Sequence, residues 1–290
     1  MPRVNYTAPS TVDEAVSILA GSTGLAKVLS GGTDLLVQMK SGRMKPEMIV
    51  DTKRIPELIG IREEGNAYLI GAATPGVMLS SNQALEHAYP GIVEGADLIG
   101  STQIQGRASL AGNLCNASPA ADSVPPLITA RAVALIAGPS GRREAPVEEI
   151  VTGPGRTSLA KGEFIVAFRI PKPKSRQSDA YLRFIPRTEM DIAVVGAGVN
   201  LTLDGAGVCT HARVSIGAVA ERALLVPEAA NALIGTKVDA EALKRMATAV
   251  SAACRPIDDK RGTKEYRIKV SGVMARRAAQ IALERARRSN

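Results

Sequence analysis

Val28-Leu29-Ser30-Gly31-Gly32-Thr33-Asp34-Leu35-Leu36 joins an apolar run to a helical one through two consecutive glycines. A strand that ends in Gly-Gly can bring its backbone close to a ligand, because no Cβ stands in the way. Thr33 and Asp34 cap the helix that follows, and the N–H groups at such a start favour an anion. A plain tight turn with a helix cap fits the same nine residues, so both readings stay open here. Outward from the junction, Ser10 or Thr11 caps a helix over 11–20, with Thr11-Val12-Asp13-Glu14 as a capping box. Ala26-Lys27-Val28-Leu29-Ser30 reads as a strand, 35–41 as a helix and Met48-Ile49-Val50-Asp51 as a strand, together a small βαβ-like unit.

A second stretch is equally unusual. Ser109-Leu110-Ala111-Gly112-Asn113-Leu114-Cys115-Asn116-Ala117-Ser118-Pro119-Ala120-Ala121-Asp122 lies within a segment, 105–126, that lacks apolar periodicity and reads as a loop. Loops of that length inside a compact domain are usually functional. Its small residues leave space, while Asn113, Asn116, Ser118 and Asp122 offer donors and acceptors for hydroxyl groups and amides. A surface loop held by Asx turns is the plainer reading. Two such loops suit one long ligand with a pyrophosphate and a polyol.

Around these stretches the chain divides into 1–55, 56–175 and 176–290. The middle region shows strands at 68–71, 132–136 and 164–170, a short helix over 83–89 and a longer one within 90–104. Pro171-Lys172-Pro173-Lys174-Ser175 reads as a linker. The last region reads as strand runs 193–203 and 208–218 turning through Asp204-Gly205, then helices over 239–253, capped by Asp239, and 264–288. The fold class is therefore α+β.

Composition narrows the chemistry. The 290 residues are 45% hydrophobic and 22% charged, ordinary values for a folded chain. No apolar run approaches the ~20 residues of a membrane span, and the N-terminus lacks a secretory leader, which predicts a cytoplasmic protein with no membrane span. Only His87 and His211 represent histidine, and the three cysteines (Cys115, Cys209, Cys254) are far apart. Neither a four-thiolate iron–sulfur cluster nor a structural zinc site can be assembled, so no metal is expected, and an organic cofactor would carry any redox chemistry. The net charge of +8 resides in residues 260–290, which hold ten Lys/Arg and two Glu; the remainder carries 26 charges of each sign. No aromatic stacking motif accompanies that basic segment, and nucleic-acid binding is not expected.

The two quoted loops, in this order and at this separation, resemble the FAD-binding loops of the flavoprotein (medium) subunits of the molybdenum hydroxylase family, which includes carbon monoxide dehydrogenase and xanthine dehydrogenase. The resemblance covers essentially the whole chain, including Gly162-Glu163-Phe164-Ile165, Asp191-Ile192-Ala193 and Lys264-Glu265-Tyr266-Arg267. It implies a two-subdomain FAD-binding fold of the vanillyl-alcohol-oxidase-like (PCMH) type, followed by a C-terminal domain of an antiparallel sheet with helices. Ser30, Gly31, Gly32, Thr33 and Asp34 would wrap the pyrophosphate. Ser109, Ala111, Gly112 and Asn113 would form the second clamp. Asp122 would accept a bond from the cofactor, Ile165 would pack on the isoalloxazine, and Arg183 would be a basic contact. Leu29, Leu35, Ile99, Leu110, Ser118 and Ile192 complete the cofactor-binding set the resemblance implies, with no catalytic residue among them.

By the same resemblance the chain would relay electrons through FAD. They would come from a small [2Fe–2S] subunit and a large molybdenum-cofactor subunit, in a dimer of heterotrimers, and pass to NAD+, a quinone or another acceptor. A stand-alone flavin oxidoreductase of the same fold is the alternative. Two departures stand out. Ala111 replaces the glycine usual in relatives, which requires a negative φ there, and Ile192 stands where some members shield the flavin with an aromatic residue. The C-terminal helix is expected to pack through Ile268, Val273, Met274 and Ile281 and to offer Arg276, Arg277, Arg285 and Arg287 to solvent or an acidic partner.

Overall fold

A computed structural model describes residues 4–289. Residues 1–3, the first of the six in which a leader was sought, and Asn290, the last of the basic segment, lie outside the described residues. The first sheet is built from β1 (Asn5–Thr7), β2 (Ala26–Leu29) and β3 (Met48–Asp51), in the order β1-β3-β2 and parallel throughout. Helix α1 (Val12–Gly21) leads into β2, and α2 (Leu35–Lys40) links β2 to β3, the expected βαβ unit. The capping box forms as read. Thr11 Oγ1 accepts the Glu14 N–H at 3.2 Å while the Glu14 carboxylate accepts the Ser10 N–H at 3.0 Å.

The second sheet is antiparallel. Its strands are β4 (Ile61–Glu64), β5 (Ala67–Gly71), β6 (Val133–Gly138), β7 (Gly141–Pro146) and β10 (Phe164–Pro171), ordered β4-β5-β10-β6-β7, with β8 (Val151–Gly153) and β9 (Arg156–Thr157) as a separate small ribbon. Between β5 and β6 run six short helices: α3 (Gly76–Ser80), α4 (Gln83–Ala88), α5 (Pro90–Asp97), α6 (Thr102–Gln105), α7 (Leu110–Cys115) and α8 (Val124–Thr129). The helix sought in 90–104 thus ends at Asp97, and the segment 105–126 is not the irregular loop it resembles in sequence. Ser109 caps α7 by accepting the Gly112 N–H at 3.2 Å. Leu79, Leu85, Ile92, Leu114 and Leu127 are fully buried beneath the sheet, in one core that continues into the first sheet through Val12, Ala15 and Val50. Each such leucine contributes roughly 1.5–3 kcal/mol by leaving water.

The C-terminal domain has its own core. Strands β11 (Gln177–Phe184), β12 (Val195–Leu203), β13 (Cys209–Gly217) and β14 (Leu224–Leu225) form an antiparallel sheet in chain order. Helices α9 (Pro227–Asn231), α10 (Ala240–Ala253) and α11 (Lys264–Arg288) follow, with α10 capped as expected by Asp239, whose carboxylate accepts the Ala242 N–H at 2.9 Å. The β12–β13 hairpin forms, but its connection is a five-residue loop in which only Gly207 has positive φ; Asp204 holds it by accepting the N–H groups of Ala206 and Val208. A two-residue Asp-Gly turn is therefore not what closes it. Helix α11 packs mainly through small residues, Ala275, Ala278, Ala279, Ala282 and Ala286, with Met274 and Leu283; Ile268, Val273 and Ile281 are only partly buried. Arg285 is not free for solvent, because its guanidinium reaches the Asp179 carbonyl at 2.9 Å and the Glu94 carboxylate. Among the described residues no helix is long and apolar enough to cross a membrane.

Candidate functional site

The two quoted loops, about 80 positions apart in sequence, meet. Ser30 Oγ and Ser109 Oγ are 2.9 Å apart, and Gln38 Nε2 donates to Asn116 Oδ1 at 2.8 Å. At Gly31 a Cβ would overlap the Arg107 carbonyl, with its carbon at 2.7 Å and Ala108 Cα at 3.0 Å, so the backbones touch directly. Gly32 adopts φ +79°, a left-handed conformation that glycine takes without strain.

They open onto a cleft of about 680 Å³, within the ~300–1,000 Å³ range of cofactor pockets. One part of the lining is backbone donor. Among the described residues no protein acceptor is found for the N–H of Ser30, Gly31, Gly32, Thr33, Asp34 or Leu35, nor for those of Leu110 and Ala111. Another part is apolar, from Leu29, Leu35, Ile99, Ala111, Phe164 and Ile165. Lys27 and Lys161 add cations without an ion-pair partner among the described residues, whereas Glu163 is taken up by Arg143 and the Ala160 N–H. Ile165 sits at the irregularity where β10 shifts register against β6, which re-aims its side chain.

The residues named from sequence distribute as follows. Leu29, Ser30, Gly31, Gly32, Thr33, Asp34, Leu35, Ile99, Ser109, Ala111, Gly112, Asn113 and Ile165 line the cleft. Ala111 keeps a negative φ inside α7, so its methyl group meets the condition set above. Asn113 turns Oδ1 to Ser123 Oγ at 2.8 Å, which leaves its Nδ2 as the donor. Leu110, Ser118, Asp122, Arg183 and Ile192 are not on the lining. Leu110 is in the core, Ser118 Oγ accepts the Ala120 N–H, and Ile192 is half exposed on the surface.

Asp122 and Arg183 instead find each other. The buried Asp122 carboxylate accepts Arg183 Nη1 at 2.9 Å and the Tyr181 hydroxyl at 2.8 Å. Burial pushes the Asp122 carboxyl up to about 6, held from rising further by Arg183 and Tyr181. The same Arg183 nitrogen donates to the Leu98 carbonyl at 2.7 Å, next to Ile99 on the cleft wall. This pair joins the C-terminal sheet to the cleft. The 119–126 segment also leans on that sheet, with Ala218 N–H donating to the Pro119 carbonyl at 2.7 Å.

Sequence reading missed several lining residues: Lys27, Gln38 and the run 159–163 from the loop before β10. Gly162 (φ +84°), whose Cβ would crowd Pro139 and Ala20, carries the only local signal for that loop, a glycine just before a strand.

A donor-rich backbone cradle, an apolar wall and lysines without an ion-pair partner among the described residues, in one cleft of about 680 Å³, fit a dinucleotide with an aromatic ring system. Comparison with known proteins bears on that fit. Residues 2–173 match the family described as "FAD binding domain in molybdopterin dehydrogenase", and 180–282 match the "CO dehydrogenase flavoprotein C-terminal domain". This chain belongs to that FAD-binding family. It is 34% identical to the carbon monoxide dehydrogenase medium chain of Hydrogenophaga pseudoflava over 98% of both chains. It is 29% identical to the xanthine dehydrogenase FAD-binding subunit of Escherichia coli O157:H7 over 96% of both. The reconstituted CO dehydrogenase from Oligotropha carboxidovorans contains a chain that superposes with a TM-score of 0.93, at 34% identity and 98% coverage of each chain. The family assignment makes FAD the cofactor and the chain an oxidoreductase subunit.

Proposed function

We propose that this chain is the electron-relaying flavoprotein of a cytoplasmic molybdenum hydroxylase complex. In that reading it accepts electrons from the [2Fe–2S] clusters of a small subunit, downstream of a large molybdenum-cofactor subunit, in a dimer of heterotrimers. It then delivers them to NAD+, a quinone or another acceptor. The observation that carries the reading is the meeting of two glycine-bearing bends whose backbone donors line one cleft.

Bound FAD supplies reversible electron storage between one- and two-electron carriers. The chain's own residues hold it. N–H groups of residues 30–35 and 110–111 would bond the diphosphate, with Lys27 and Lys161 offsetting its charge. Asn113 Nδ2 and the Thr33 hydroxyl would meet ribityl or ribose oxygens. Ile165 and Ile99 would cover the ring system and keep water from it, and the Asp122–Arg183 pair would fix the Leu98-Ile99 wall from behind.

The test is spectroscopic. The purified chain should bind FAD one to one and show the flavin absorption bands. In the isolated chain those bands should persist when candidate substrates are added, and bleach once the iron–sulfur and molybdenum subunits are supplied. Reduction of the isolated chain by a small organic substrate would overturn the relay reading in favour of a stand-alone flavin oxidoreductase.

A further inference from the structure

A second pocket of about 250 Å³ lies on the seam between the N-terminal core and the C-terminal sheet. Its floor is a patch of that sheet. Cross-strand register sets Gln177, Thr202 and His211 in one row over β11, β12 and β13, and Asn200 beside Arg213 in the next. Its walls come from the other half of the molecule, with Arg131 after α8 and Lys172 and Lys174 after β10. Among the described residues no aspartate or glutamate is on the lining.

Asn200 is the decisive residue. It is only 6% exposed, and its Nδ2 has no hydrogen-bond partner among the described residues. The orientation of its amide follows from a chain of bonds. The Lys174 N–H donates to Gln177 Oε1 at 2.9 Å, so Gln177 Nε2 faces Asn200 and donates to its Oδ1 at 3.0 Å. Turning the Asn200 amide over would set two NH2 groups against each other. A buried donor is thereby left unpaired beside the pocket, a condition that costs about 1–3 kcal/mol unless an acceptor reaches it. The cations around it point to the kind of acceptor. Lys172 and Arg213 are paired with Glu63 and Glu148, while Arg131 and Lys174 have no anionic partner among the described residues.

We propose that this seam pocket is an oxyanion site that takes a phosphate group, with Asn200 Nδ2, Arg131 and Lys174 as its donors. The ion would tie the two halves together, since Arg131 belongs to one and Asn200 to the other. Free phosphate and the phosphoryl end of a phosphorylated metabolite share this chemistry.

The experiment titrates the FAD-loaded protein, so that the glycine-lined cleft is filled, with inorganic phosphate and with glucose 6-phosphate at fixed ionic strength, by calorimetry. One saturable site per chain is expected, with the affinity lowered about tenfold or more in both Asn200→Asp and Arg131→Asn. Asparagine suits position 131, where φ is +58°. Lys174→Gln, on an exposed residue, provides a variant that does not depend on core packing, and Lys269→Gln on α11 should bind like the parent. Tighter binding of the ester assigns the site to a phosphorylated metabolite, and tighter binding of the free ion to phosphate itself. Absence of saturable binding, or binding unchanged in all three pocket variants, overturns the proposal.

Discussion

At position 31 a methyl group would stand inside the Arg107 carbonyl, whereas at position 112 the nearest neighbour to a methyl group is the Ser109 hydroxyl at 3.2 Å. The neighbours of these glycines differ in the same way. Gly32 needs its left-handed backbone, while Ala111 sits in a helical turn with negative φ. The first bend is thus constrained by space and backbone angle. The second is a capped helical turn, and what constrains its stretch lies ten residues on, where Asp122 and Arg183 form a buried pair. Two loops that serve one cleft and share a glycine-rich look are held in place by different physics.

That contrast predicts its largest effect at the first bend. Gly31→Val should force the touching backbones apart and break the Ser30–Ser109 contact. The expected result is loss of stoichiometric FAD and a stability loss of roughly 3 kcal/mol or more, read by flavin absorbance and thermal melting. Normal flavin content in this variant would show that the cleft tolerates separation of the loops.

For the second stretch the largest effect should be electrostatic. Arg183→Met leaves Asp122 buried opposite an apolar side chain, with only the Tyr181 hydroxyl as donor, at a cost of about 3–5 kcal/mol. Asp122→Asn in the same chain should recover part of it, since a neutral amide removes the unpaired charge. Chemical denaturation of the single and double variants checks both the loss and its partial recovery.

The pH dependence should follow from the same carboxyl. Asp122 titrates near 6 in the folded chain, against about 3.9 when unfolded. Between those values the folded state retains a proton that the unfolded state has released, so stability falls as pH rises. The stability of the parent relative to Asp122→Asn should therefore drop by roughly 2–3 kcal/mol from pH 4 to pH 7, measured as the difference between two denaturation series. A flat difference would mean that Arg183 holds the carboxylate ionised throughout.

Legibility in the sequence follows the same physical lines. The central, buried strands announced themselves: 68–71, 132–136 and 164–170 are apolar runs, and β5, β10 and β6 are interior to their sheet. The strands that sequence reading missed, β1, β4, β7, β8, β9, β11 and β14, are all at sheet edges. Ile61-Arg62-Glu63-Glu64 and Gly141-Arg142-Arg143-Glu144 carry the charges that guard an edge, and those charges erase the apolar pattern. Helix α7 escaped because six residues are too few to show a helical period. The glycine bends were legible as unusual loops, and both line the cleft, yet their contact through Ser30 and Ser109 was not legible, since nothing local encodes which loops converge. Arg183 and Asp122 were named by the resemblance as cofactor contacts, and neither lines the cleft. That they grip each other, behind the cleft wall, emerges only from the packing of β11 on the 119–126 segment.

The smallest effect is expected at Gly112, and it bears most directly on the contrast. Alanine there would gain helix propensity of about 1 kcal/mol and lose a comparable amount by crowding the Ser109 hydroxyl that caps the turn. The melting temperature of the apoprotein should shift by no more than about 2 °C. FAD affinity is the independent reading. If it too is unchanged, the glycine serves neither backbone nor ligand, and Gly31 and Gly32 alone set the close approach. If the apoprotein is as stable as the parent but FAD is lost, position 112 is bare because the cofactor lies against it. Both bends would then need their glycines, one for the chain and the other for the ligand.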